Sequence, residues 1–191
     1  MDEQIVRLAR KGDKAALRQI LRALETPLYQ TAYYLTGNEQ DAMDATQEAL
    51  WKIYRSFTSF RGDASVRTWA QKIVTHTCWD FLRKKRKERE WTSSLPEHEI
   101  STNSYEEQAS ISFDIRQAIQ LLPPQQRTAL TLKYIHDYEL HYIAEIMEMP
   151  INTVKSHLYR ARQQLQKILA NYREGRDATW IEETKTGSDE N

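Results

Sequence analysis

Residues 149–169 read MPINTVKSHLYRARQQLQKIL. A proline opens the stretch, Asn152 or Thr153 is placed to cap a helix, and Val154 and Leu158 then recur one turn apart. Just upstream, YELHYIAEIMEM (138–149) predicts a short helix capped by Asp137 and stopped by Pro150. Two short helices joined by a tight turn make a helix-turn-helix. Its inner face would bring Ile143, Ala144 and Met147 against Val154 and Leu158, with Ala144 small where the helices approach most closely. The outer face would carry Thr153, Lys155, Ser156, Tyr159 and Arg160. Lys and Arg reach guanine edges or phosphates in a DNA major groove and Ser reaches either, while a helix N-terminus favours phosphate. Arg162 and Lys167 read as phosphate contacts or plain surface. The bland alternative for the whole row is a solvated helix face with scattered cations.

Outward from this pair the chain is helical almost throughout, and strand signals are nearly absent. Ile115, Ala118, Ile119 and Leu122 share a face, and Pro123-Pro124 ends that helix and starts the next, QQRTALTLKYIH. Toward the N-terminus, Ile5, Leu8 and Ala9 mark a first helix, and Leu17, Ile20, Leu21 and Leu24 a second. TPLYQTAYYLTGN (26–38) predicts a separate third, with Thr26 as N-cap, Pro27 at the first helical position and Gly37-Asn38 at its end. A fourth is expected from about Glu39 to Phe57, with Leu50, Ile53, Tyr54 and Phe57 on one face. After a break at Gly62, a long fifth helix from Val66 to near Arg89 carries Val66, Trp69, Ile73, Val74, Cys78, Phe81 and Leu82 on its apolar face. Residues 91–110 have no clean period and are rich in Ser, Thr and Glu, which reads as a flexible linker. The expected fold is all-α: two small helical domains, 1–90 and 113–172, joined by an acidic linker over 91–112 and followed by an acidic tail over 173–191.

The 191 residues balance 27 Lys+Arg against 27 Asp+Glu, but the neutrality is only global. Residues 1–92 hold 17 basic against 12 acidic groups and residues 115–177 hold 9 against 6. No Lys or Arg lies between Glu90 and Ile115, where Glu97, Glu99, Glu106, Glu107 and Asp114 concentrate negative charge. Local basic faces of this kind suit a polyanionic partner. Cys78 is the single cysteine, so an internal disulfide and a thiolate zinc cluster are both excluded. No apolar run approaches the roughly 20 residues of a membrane span, and the N-terminus lacks the apolar stretch of a signal peptide. These features fit a cytosolic protein without membrane insertion. No P-loop, G-x-S-x-G or H-E-x-x-H occurs, and the histidines lack ligand spacing, so neither an enzyme nor a metal or other cofactor is expected.

Two further stretches bear on binding. In FLRKKRKER (81–89), Arg83, Lys84, Lys85 and Arg86 crowd together with Lys87 and Arg89. Such neighbours repel by a few tenths of a kcal/mol per close pair, roughly, which a polyanion would relieve; a solvated basic helix end is the alternative. Upstream, Lys72, Thr75, His76 and Trp79 interleave cations with aromatics, as surfaces that track single-stranded bases do. Trp69 reads as core, and Trp79 fits either role. In DAMDATQEALWKIY (41–54), Asp41, Asp44, Gln47 and Glu48 are expected on one side of a helix, as an ordinary wet face or an acid/base pair.

Taken in order, DAMDATQEALWKIYRSFTSFRGDASVRTWAQKIVTHTCWDFLRKKRK (41–87) resembles region 2 of the extracytoplasmic-function sigma factors of the sigma-70 family. LLPPQQRTALTLKYIHDYELHYIAEIMEMPINTVKSHLYRARQQL (121–165) resembles their region 4. The resemblance implies a bacterial RNA polymerase sigma factor. Its partners would be core polymerase (the β′ clamp helices and the β flap), promoter DNA and an anti-sigma factor. It turns Asp41, Asp44, Gln47, Glu48 and Trp51 into a polymerase-docking surface. It makes Arg61, Lys72, His76, Trp79, Arg83, Lys84, Lys85 and Arg86 the −10 contacts, with the loop Phe60–Ser65 taking part in melting. It makes Thr153, Lys155, Ser156, Tyr159, Arg160 and Arg162 the −35 contacts. The linker would thread toward the polymerase cleft. The chain departs from the family pattern at Ala45, at His76 and His157, and at Glu148, where a glycine often makes the turn. The alternative is a stand-alone helix-turn-helix regulator that binds duplex DNA without polymerase.

Overall fold

The computed structural model describes residues 2–92 and 115–186, with side chains described only as far as Ala170 and not at Arg89 or Thr92. Residues 93–112 of the expected linker and the end of the tail lie outside it, while residues 91 and 92 continue the helix before the linker. Among the described residues all regular structure is helical: α1 (Glu3–Arg10), α2 (Lys14–Thr36), α3 (Glu39–Ser56), a 3-10 turn (Phe57–Ser59), α4 (Val66–Thr92), α5 (Ile115–Gln120), α6 (Pro124–Tyr134), α7 (Leu140–Met147) and α8 (Ile151–Thr186).

Helix ends follow local chemistry. Asp2 and Asp13 cap α1 and α2 by accepting from first-turn amides, and Asn38 does the same for α3. Gly37, at φ +88°, closes α2 in the left-handed conformation that a side chain resists. The expected break before Pro27 does not occur, because α2 runs straight through it. Proline removes one amide donor, and the carbonyl thereby freed belongs to Ala23, which is exposed to water. Leu24 and Leu28, on either side, are both buried in one core and hold the helix continuous. Two expected caps are also corrected. Asp137 sits in the turn at φ +53° while Glu139 takes the cap position of α7, and α8 begins at Ile151, with the Pro150 carbonyl accepting from Thr153 and Val154.

The first half packs α1–α4 around Ile20, Leu24, Leu28, Leu35, Ile53, Phe57, Val74 and Cys78. Burying a side chain the size of Phe57 contributes about 1.5–3 kcal/mol. Leu8 and Tyr54, expected on apolar faces, are instead exposed, as is Ile115. The second half builds two smaller clusters. Ala129, Leu132, Ile143, Ile146, Met147, Val154 and Leu158 join α6, α7 and α8, while Ile119, Leu122, Leu130 and Ala161 tie in α5.

The halves are not separate bodies. α7 packs on α4, and α5 and α6 pack on α2. Trp79 of α4 touches the cores of both halves, and Tyr34 of α2 packs on the α5 cluster. Helix ends leave carbonyls without intrahelical donors, and Arg127 serves them on both sides of the junction. Its guanidinium donates to Leu35 O of α2 at 2.6 Å, and to Gln120 O and Leu122 O at the end of α5. A Cβ at Gly37 would lie 2.6 Å from Gln120 Oε1, the movable end of a side chain, so it is the φ of +88° that calls for glycine there.

Candidate nucleic-acid interface

The face of α8 expected to read DNA is the simplest part. Val154, Leu158 and Ala161 are buried at helical spacing, which fixes the opposite side outward. Thr153, Lys155, Ser156, Tyr159, Arg160 and Arg162 are all exposed there, Tyr159 at 59%. Ser156 Oγ donates back to Asn152 O at 3.0 Å, so its hydroxyl is engaged with its own helix. His157 is half-buried, and burial together with the nearby Arg160 charge lowers its pKa, which favours a neutral ring.

On α3, Asp44, Gln47, Glu48 and Trp51 are exposed as one stripe, with Met43 and Tyr54 beside it. Trp51, at 53% exposure, carries the Arg55 guanidinium 4.5 Å from its ring centroid. Asp41 does not join them. It is 9% exposed, accepts from Asn38 Nδ2 and forms an ion pair with Lys85 of α4, so it braces α3 against α4.

The loop between the 3-10 turn and α4 is anchored from inside. Phe60 is buried, its ring centroid 4.9 Å from that of Trp69 and 5.8 Å from that of Phe57. Trp69 is therefore core, as read from its spacing. Gly62 turns the chain at φ +88°, and Ser65 Oγ accepts from Thr68 N to start α4. Arg61 is left outside, paired with Asp63 at 2.9 Å.

α4 presents two different surfaces. Near its C-terminal end Arg83, Lys84 and Arg86 are exposed, but each has a carboxylate within one turn: Asp80, Glu88 and Glu90 respectively. Lys85 is the cation turned inward to Asp41. The repulsion expected of a bare basic run is thus largely neutralised. Exposed pairs of this kind contribute only about 0–1 kcal/mol, so phosphates can replace them at little cost.

In the middle of α4, Lys72, His76 and Trp79 form one stripe, and the second half of the chain covers it. Lys72 Nζ lies 2.7 Å from Glu148 Oε1. His76 Nε2 lies 3.4 Å from Glu148 Oε2 and 3.3 Å from Ile146 O. Trp79 Nε1 donates to the buried Thr128 Oγ1 at 3.0 Å. The hydrogen bond from Lys72, chiefly, holds the Glu148 carboxyl below its ordinary range. Thr75 is fully buried and takes no part in an outer surface.

Sequence reasoning missed the partners at this junction. Thr31, inside α2, donates to Gln71 Oε1 at 2.7 Å and lies 2.8 Å from His136 Nε2. Burial, helped by the Arg67 charge, pushes the His136 pKa down to about 4, so the ring is neutral; with the Thr31 hydroxyl hydrogen given to Gln71, the tautomer protonated at Nε2 is the one that pairs with Thr31. Nothing in the local pattern marks His136 or Thr128. Glu148 alone left a trace, as a charged residue where the turn favours glycine.

Comparison with known proteins assigns the two halves of the chain to known family regions. The family model described as Sigma-70 region 2 matches residues 20–88, and that described as Sigma-70, region 4 matches residues 112–165. The chain is 30% identical to the ECF RNA polymerase sigma factor SigW of Bacillus subtilis, over 88% of this chain and 97% of that one. It is also 30% identical to the RNA polymerase sigma-H factor of Pseudomonas aeruginosa, over 88% and 93%. In fold it is similar to the sigma factor RpoE of Bartonella quintana, solved in complex with the anti-sigma factor NepR, at a TM-score of 0.66 and 24% identity over 80% of this chain and 96% of that one. It is similar as well to CnrH, solved with the cytosolic domain of CnrY, at 0.67 and 19% over 89% and 97%. With both regions present in this order and relatives matched over nearly their whole length, the chain belongs to the extracytoplasmic-function sigma factors of the sigma-70 family.

Proposed function

We propose that this sigma factor divides promoter-directed initiation among three surfaces, carried on residues 1–90 and 113–172. The stripe Asp44, Gln47, Glu48 and Trp51 docks on the β′ clamp helices of core RNA polymerase, and the second half of the chain is held near the β flap. Arg61 and the α4 residues Lys72, His76, Trp79, Arg83, Lys84 and Arg86 capture unpaired −10 bases and their phosphates. Lys85 and Asp41 hold α3 and α4 in register beneath them. Thr153, Lys155, Tyr159, Arg160 and Arg162 read the −35 element in the major groove, with Ser156 at its edge. The bond chemistry belongs to the polymerase, and the chain itself is no enzyme. It works in the cytoplasm, where DNA and polymerase are. A relative of this fold was solved with an anti-sigma factor, and an inhibitor of that kind is the expected regulator here too.

The observation that carries this reading is the ordered pair of region matches, 20–88 and then 112–165. Run-off transcription tests it. Core polymerase from the source bacterium is given fragmented genomic DNA with and without the chain, and transcript starts are sequenced. Discrete starts that share two upstream elements and need the chain are expected. Tight binding of a specific duplex by the chain alone, with no polymerase binding and no new starts, would instead establish the stand-alone regulator.

A further inference from the structure

We propose that the chain's own second half masks its −10 helix, with the Glu148 carboxylate occupying the place a DNA phosphate takes on Lys72 and His76, so that α7 must leave α4 before bases are captured. The inference rests on the assignment of α4 to the −10 element.

Four contacts carry it, and all fall on one stripe. Lys72, His76 and Trp79 lie at i, i+4 and i+7, on one side of α4. Each is engaged from the other half of the chain: Lys72 by Glu148 at 2.7 Å, His76 by Glu148 and Ile146 O, and Trp79 by Thr128. The carboxylate offers two acceptor oxygens to two donors one turn apart, as a phosphate would. Trp79, the aromatic best suited to stack on a base, has its indole N–H spent and its ring packed into the junction.

The backbone at Glu148 points the same way. This residue ends α7 at φ +52° and ψ +46°, a left-handed cap that glycine takes without strain and a residue with a Cβ does not. A glycine here would make the better turn and could make neither contact. The chain accepts local strain and places a carboxylate on two of the donors on this face of α4. The Glu148 side chain is itself 55% exposed, so its two bonds lie at the rim of the junction, where salt and a competing polyanion reach them. Thr31 with His136, and Arg127 with Leu35, lie deeper and close the junction elsewhere. Glu148 is therefore a latch set over the binding stripe rather than the whole of the interface.

The test uses the full chain. Dyes on exposed positions of the two halves, Gln19→Cys on α2 and Gln164→Cys on α8, report closure by energy transfer; native Cys78 is buried, with its thiol pushed up to about 12, and does not label. Binding of a fluorescent 15-mer oligothymidylate reports access to α4. Glu148→Gly and Glu148→Gln are expected to lower energy transfer and to tighten oligonucleotide binding about tenfold at low salt. The matched change Glu145→Gln, one turn back on α7, is expected to alter neither. Lys72→Glu should open the pair, and Lys72→Glu with Glu148→Lys should close it again. Unchanged transfer and unchanged binding in both Glu148 variants would overturn the latch. Opening without any gain in oligonucleotide binding would overturn the assignment of α4 while leaving the contact itself established.

Discussion

The two helices proposed to meet promoter DNA stand in different states. α8 carries its proposed reading side chains on an open face, because its buried stripe is satisfied chiefly within its own half, Val154 and Leu158 by Ile143, Ile146 and Met147, and Ala161 by Ile119, Leu122 and Leu130. α4 has two neighbours to satisfy. Its inner side completes the first core through Val74 and Cys78, and its middle stripe meets α7. Under the proposed assignment the first helix is open to duplex DNA as it stands, while the stripe proposed for the −10 element on the second is already in contact with α6 and α7. A small all-helical chain can thus leave one polar helix face open and cover another, simply through which faces its short helices leave unsatisfied.

The largest effects test whether the halves are one cooperative body. Phe57→Ala in the first core is expected to cost about 3–5 kcal/mol and Ile143→Ala in the second about 2–5 kcal/mol. If the junction couples the halves, each variant lowers a single urea midpoint seen by near-UV and far-UV circular dichroism alike. Two separated transitions would break the comparison by making the halves independent.

Next comes pH. His136 is held neutral in the folded chain at a pKa of about 4, below its ordinary 6.5. As pH falls through that window the unfolded chain binds the proton first. Stability is therefore fully present above about pH 6.5 and is lost toward pH 4, by about 3 kcal/mol across the window. The groups facing the ring are Thr31, Arg67 and Tyr138. Urea midpoints measured between pH 4.5 and 7 should slope for the native chain and flatten for His136→Gln, which keeps a donor but does not titrate.

On the open helix, Arg160→Ala is expected to remove about 1–3 kcal/mol of −35 recognition. Footprinting of holoenzyme on a promoter found by run-off would show the loss at the −35 element, with polymerase affinity unchanged. Equal loss of both would mean that α8 is not a separate reading surface. The smallest expected effect is at a helix end far from either recognition helix. Asp13→Ala removes the cap that accepts from Ala15 and Ala16 and should cost about 1 kcal/mol in thermal unfolding, with transcription unaffected.

Much of this molecule was legible from local rules. Period 3.6 located the helices, Pro123-Pro124 marked the α5–α6 corner, and Val154 with Leu158 fixed which side of α8 faces outward. Local rules failed at Pro27, where burial of Leu24 and Leu28 in a shared core outweighs the loss of one solvent-facing hydrogen bond. They failed again at Asp41, whose spacing matches Asp44 and Glu48 but whose neighbour Lys85 lies 44 residues away along the chain. Trp79 could be read as core or as surface, and it is partly both, half-buried and packed against two clusters.

By itself, then, the sequence determined the helices, the outward face of α8 and the resemblance that led to the family, because each depends on residues within a few turns of one another. Only the tertiary structure decided that α4 is covered, that Glu148 meets Lys72 and His76, and that His136 is a neutral donor to Thr31. Those outcomes depend on contacts between residues 49 to 105 positions apart, and neither helical period nor capping chemistry carries information over that distance.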